Sequence, residues 1–135
     1  MSRKPQARRS VTPTRFHIFI GGFGRPSYDL RLVNGRLHYQ DNRAEAPEIL
    51  SPTAEDWERF WIATEACDLW NWTPSYHDSD ILDGTQWQVE ITLGRRRLKS
   101  SGSNAYPGET SDGRSDSFML FLQAVRKLLG GRQFG

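Results

Sequence analysis

Between Gln86 and Leu93 apolar and polar residues alternate without a break. Trp87, Val89, Ile91 and Leu93 interleave with Gln86, Gln88, Glu90 and Thr92. A period of two places the first set on one side of a strand and the second on the other. A helical period would turn Val89 away from Trp87 and Ile91, and the β-branched residues and the indole also suit a strand. Asp83-Gly84 before this run and Gly94 after it are turn signals. Arg96 to Ser100 then forms a short return strand, with Leu98 as its buried residue. Its Arg and Lys side chains suit a sheet edge, where charge discourages pairing with another chain.

The same alternation appears twice more. Tyr28–Val33 and Arg36–Asp41 flank Asn34-Gly35, the pair favoured where both central residues of a two-residue hairpin turn need positive φ. That turn pairs Val33 with Arg36, Leu32 with Leu37 and Leu30 with Tyr39, so the apolar pairs share one face while Arg31 and His38 share the other. Phe16–Ile20 is a preceding strand. Gly21 to Pro26 turns the chain; its glycines do not make a phosphate loop, because a strand follows instead of a helix and no Gly-Lys-Ser/Thr is present.

Two segments change to a helical period. Trp57, Phe60, Trp61 and Thr64 fall on one face of a helix opened by Ser51-Pro52, or by Thr53 paired with Asp56, and ended near Ala66 or Cys67. Phe118, Phe121, Leu122, Val125 and Leu128 or Leu129 make a second amphipathic stripe from Ser115 or Asp116 to Leu129, closed by Gly130-Gly131. Asn42–Leu50 and Ser100–Ser115 are loops by composition. Leu69–Trp72 is expected as a short strand, with Trp70 and Trp72 pointing the same way. The expectation is an α+β domain: an antiparallel sheet of about five or six strands with both helices packed on one face. The uncovered face would carry Arg31, His38, Gln86, Gln88 and Glu90, the first candidates for partner contact.

Composition places this pattern in context. A chain of 135 residues suffices for one domain with one core. The formal charge of +2 conceals an uneven distribution. Arg3, Lys4, Arg8, Arg9 and Arg15 lie in the first fifteen residues without an acid, leaving 13 basic against 16 acidic residues in the rest. Residues 1–14, polar and broken by Pro5 and Pro13, are expected as a disordered basic tail, 15–131 as the domain and 132–135 as a short C-terminal tail. The single cysteine, Cys67, cannot form an internal disulfide, which fits a reducing cytoplasm. No apolar run is long enough to cross a membrane, and no secretory signal is visible.

Reactive chemistry is sparse. His77, Asp78 and Asp80 form the most suggestive loop, a starting point for a hydrolase or metal-enzyme reading. Counted from Asp78, however, the calcium-loop positions that need a third ligand, a glycine and a glutamate hold Leu82, Asp83 and Val89. Cysteine–histidine pairs for zinc are absent, and Cys67 has no base beside it in sequence. No catalytic residue, metal or cofactor is therefore expected. Arg95, Arg96, Arg97 and Lys99 form a basic hairpin tip. With Arg3, Lys4, Arg8 and Arg9 of the tail it supports an alternative in which the chain binds nucleic acid.

Asp83-Gly84-Thr85-Gln86-Trp87, Ser101-Gly102-Ser103-Asn104-Ala105-Tyr106-Pro107 and the Phe118/Phe121/Leu122 helix together resemble a group of small bacterial domains of uncharacterised function. Those domains share a D-G-x-x-W strand, a G-S-N-A-Y-P loop and a closing amphipathic helix. The resemblance covers about the last third of the chain, which departs from the pattern by an insertion from Glu109 to Asp116. It implies a small α+β module and brings no activity, cofactor or catalytic residue. The function expected is that of a non-enzymatic protein-interaction module: an accessory subunit, inhibitor or immunity-type protein.

Overall fold

The computed structural model describes residues 11–22, 24–77, 84–107 and 116–135. The strands are β1 (Arg15–Gly22), β2 (Tyr28–Val33), β3 (Arg36–Asp41), β4 (Glu48–Leu50), β5 (Ser75–His77), β6 (Thr85–Leu93) and β7 (Arg96–Ser103). The helices are α1 (Ala54–Glu65), between β4 and β5, and α2 (Asp116–Leu128), after β7. The class is α+β, as expected. The sheet has seven strands in the order β4-β3-β2-β1-β6-β7-β5, more than the expected five or six. It is also mixed, because β5 runs parallel to β7.

The hairpin at Asn34-Gly35 closes in the expected register, with Val33 opposite Arg36, Leu32 opposite Leu37 and Leu30 opposite Tyr39. Both turn residues have positive φ, 53° and 80°, so the turn twists with its strands. β1 and β6 form the centre and pair from Arg15–Thr92 to Gly22–Thr85. Phe16, Ile18, Ile20, Leu30, Leu37, Val89 and Ile91 are buried on one side of the sheet, and the helices cover that side. Phe16 meets Trp57 and Phe60 of α1 edge-on, at 5.1 and 5.6 Å between ring centres. Trp87 meets Phe118 of α2 at 5.0 Å. Phe60 and Phe121 join the two helices. Trp57, Trp72 and Trp87 are buried and Trp61 and Trp70 partly so, which makes this an aromatic core.

Several local expectations change. Val11, expected in the tail, packs against the core, and its carbonyl accepts from the Trp61 indole at 2.6 Å. Ser75–His77, expected in a loop, is β5, and β7 runs to Ser103, into the expected Ser100–Ser115 loop. Helix α1 is capped by Thr53, whose hydroxyl accepts from the Asp56 amide at 3.1 Å while the Asp56 carboxylate accepts from the Thr53 amide at 2.8 Å. Ser51 and Pro52 precede that reciprocal cap. Leu69–Asn71 is a single 3-10 turn, entered through Asp68 at φ 53°, so Trp70 and Trp72 do not share a face. Trp72 is buried and donates to the Cys67 carbonyl at 2.9 Å, while Trp70 stacks on Trp61 at 6.0 Å. Residues 48–50, expected as loop, are the edge strand β4. The final residues are not a loose tail: Phe134 is fully buried and packs on Tyr28.

Residues of the D-G-x-x-W and G-S-N-A-Y-P motifs lock β6 to β7. The Trp87 indole lies across Gly102 and donates to the Ala105 carbonyl at 3.0 Å. Asn104, at φ 60°, turns the chain so that its amide donates to the Thr85 carbonyl at 2.9 Å. Tyr106 then packs on Phe118 at 4.8 Å. Among the described residues of the two motifs, the indole and the turn serve the fold.

Candidate binding surface

Strand parity decides what the other side of the sheet presents. Residues opposite one another in neighbouring strands share a face, so the register assembles rows across the strands. One row reads Ile49, His38, Arg31, His17, Glu90, Lys99. The next reads Gln40, Asp29, Phe19, Gln88, Ser101, Ser75. Gly21, Gln86, Ser103 and His77 follow, and at the opposite end Arg15 lies beside Thr92 and Arg97. No helix packs on this side among the described residues.

All five expected contact residues, Arg31, His38, Gln86, Gln88 and Glu90, therefore lie on one uncovered surface. The basic hairpin divides. Arg97 and Lys99 face this surface, Arg95 is exposed in the turn, and Arg96 lies over the Trp70 ring at 5.6 Å on the helix side. Arg3, Lys4, Arg8 and Arg9 lie outside the described residues, as do Asp78 and Asp80. His77 is exposed at the β5 edge of the same surface. All three histidines of the chain thus face one way, but they stand in different strands rather than around one point. No group of three metal-binding side chains occurs among the described residues.

Sequence reasoning missed the tightest cluster on this face. His17 Nε2 and Asp29 Oδ1 are 2.6 Å apart, and Arg31 Nε lies 3.7 Å from Asp29 Oδ2. One carboxylate therefore holds both an imidazole and a guanidinium. One row on, Arg15 Nε is 3.8 Å from Glu90 Oε2. These partners come together only through the β1–β2 and β1–β6 registers, and the signal available in sequence was their shared polar parity.

Two shallow hollows mark the face. One, of about 670 Å³, is lined by Arg15, Glu90, Thr92, Arg97 and Lys99, together with Thr14 and Leu98. The other, of about 390 Å³, includes Phe19, His77, Gln86, Gln88, Ser101 and Ser103 in its lining. The described residues of the uncovered face hold five cations (Arg15, Arg31, Arg36, Arg97, Lys99) against two carboxylates (Asp29, Glu90), a net +3 with histidines neutral. Helix α1, on the other side, holds Glu55, Asp56, Glu58 and Glu65 against Arg59 alone. Helix α2 holds Asp116 against Arg126 and Lys127, so the acidic bias of that side belongs to α1.

The lone thiol offers no nucleophile. Cys67 is fully buried, and burial pushes its pKa up to about 11, so it stays protonated and poorly reactive at neutral pH. Among the described residues no helix is long and apolar enough to cross a membrane. No protein-family model matches this chain, and no curated protein matches it.

Proposed function

We propose that this chain is a non-enzymatic binding module that holds a macromolecular partner against the uncovered face of its sheet. The observation that carries this reading is the alignment of Arg31, His38, Gln86, Gln88 and Glu90 on one rigid polar surface, continuous across all seven strands. A central sheet fixes the backbone positions of these side chains before binding, so association has to order only their exposed ends. The motif residues that suggest kinship with small bacterial domains fit the same view, since their work is to lock strands and leave the opposite face for recognition. The single buried thiol is compatible with a reducing cytoplasm.

The test is positional crosslinking with the full chain in its source cells. A photoreactive residue at Gln88 or Lys99 should capture a partner, and one at Glu58 or Ile62 on the helix side should not. Capture confined to the helix-side positions would move the working surface and end this proposal.

A further inference from the structure

Resting on the reading that the uncovered face is the working surface, we infer that its partner is single-stranded nucleic acid. The first argument is what the face lacks. Stable protein interfaces centre on desolvated aromatic or aliphatic anchors and deplete charge from that centre. Of the two inner rows, one is His38, Arg31, His17 and Glu90, and the other holds a single ring, Phe19, among Gln40, Asp29 and Gln88. Of the exposed large hydrophobic residues among those described, Ile49, Ile62 and Leu120, only Ile49 lies on this face, in its edge strand.

The second argument is what the face offers. The larger hollow gathers Arg15, Arg97 and Lys99. Glu90 engages Arg15, while Arg97 and Lys99 have no ion pair among the described residues and remain available to phosphates. Arg31 stands in the Lys99 row three strands away, where Asp29 holds it at 3.7 Å. The second hollow lies alongside, where Lys99 is followed on the same face of β7 by Ser101 and Ser103. Its lining includes two flat rings, Phe19 and His77, and two amides, Gln86 and Gln88. Rings that stack on bases and amides that bond their edges suit an unpaired strand. A duplex hides its base faces, and its major groove admits a helix or a two-stranded ribbon, so bases are open to a flat ring only in an unpaired strand. Cations beside rings, on one rigid surface, match the alternation of phosphate and base along a single strand.

The experiment measures binding of fluorescent oligothymidylate and oligouridylate to the full chain across a salt series, with a duplex of equal length as comparison. The chain expected to bind includes a form with Arg3, Lys4, Arg8 and Arg9 all changed to Gln, which separates the face from the tail. Single strands should bind better than duplex. The double variant Arg97→Glu/Lys99→Glu should weaken binding and flatten the logarithmic salt slope by about 1.4 if both residues neutralise phosphates. Phe19→Ala should weaken binding about five- to 150-fold, the range for one stacked base, with circular dichroism confirming that it folds. The exposed double variant serves if it does not. Equal affinity for duplex, or binding lost only with the tail substitutions, overturns the inference. Absence of strand binding alongside a protein crosslinked at Gln88 also overturns it, but leaves the binding-module reading standing; absence of both removes both.

Discussion

A β-carbon at position 102 would fall on the indole nitrogen of Trp87 and on the carbonyl oxygen of Ala105. The backbone oxygen cannot swing aside, and the ring is wedged between Phe118 and Tyr76. Gly102→Ala should therefore destabilise the domain by about 1–3 kcal/mol, the usual cost of overpacking, read as a lower urea midpoint. An unchanged midpoint would show that the β7 end yields more easily than its contacts imply. A second residue-scale effect is electrostatic. Hydrogen bonds from the Arg43 side chain and then its backbone amide hold the Asp41 carboxyl down at about 2, against an ordinary 3.8. Because the folded-state value is the lower one, this contribution is complete above the unfolded-state value and disappears as pH falls from there through about 2. Asp41→Asn should accordingly make stability less dependent on pH across that window. Urea melts at several acid pH values check it, and high salt should shrink the difference because the pair is exposed.

At the scale of elements, the reciprocal cap of α1 separates two sequence signals that looked equivalent. Thr53→Ala removes the hydroxyl that accepts from the Asp56 amide and should cost about 1 kcal/mol. Ser51→Ala, outside the cap, should change the thermal midpoint little; a larger loss from Ser51 would place the helix start two residues earlier. Helix α2 ends where expected, with the Gly131 amide donating to the Arg126 carbonyl and the Gly130 amide to that of Lys127, the paired bonds of a glycine-terminated helix. Elements of this kind were legible because local chemistry and hydrophobic period agreed. Asn34-Gly35 set the same register that the apolar pairs required, and the α2 stripe buried every residue assigned to it. The edge strands β4 and β5 were not legible. Each is three residues long, too short for a period, and each depends on an unpaired neighbour, β3 or β7. The 3-10 turn at Leu69 was missed because Asp68 adopts a left-handed conformation that its residue type alone does not announce. Parity placed the candidate face correctly, but the His17–Asp29 contact spans two strands and needed the register of β1 with β2.

For the molecule as a whole, two helices do not suffice to cover seven strands. Rings from α1 and α2 meet β1 and β6, while on β2 and β3 the C-terminal residues supply much of the cover. Phe134 packs on Tyr28 at 5.6 Å, and the Tyr39 hydroxyl donates to the Gln133 carbonyl at 2.7 Å. Arg126 reaches back from α2, its Nε 3.1 Å from the Phe134 carbonyl and its Nη2 3.2 Å from that of Gly135. Arg132 bonds Glu48 of the edge strand through Nε at 3.0 Å, although an exposed pair of that kind adds little. The packing weight falls on Phe134, which is fully buried. Phe134→Ala should cost about 3–5 kcal/mol, a large part of the roughly 5–15 kcal/mol that holds a domain together. Gln133→Ala should be nearly silent, because residue 133 accepts through its backbone and its side chain is exposed. Hydrogen exchange adds the spatial part: amides of β2 and β3 should lose protection before those of β1 and β6 in the Phe134 variant. Uniform loss across the sheet would mean that the segment stabilises one cooperative unit rather than the β2–β3 side. Unchanged urea midpoint and exchange would mean that the ring fills space without holding the strands.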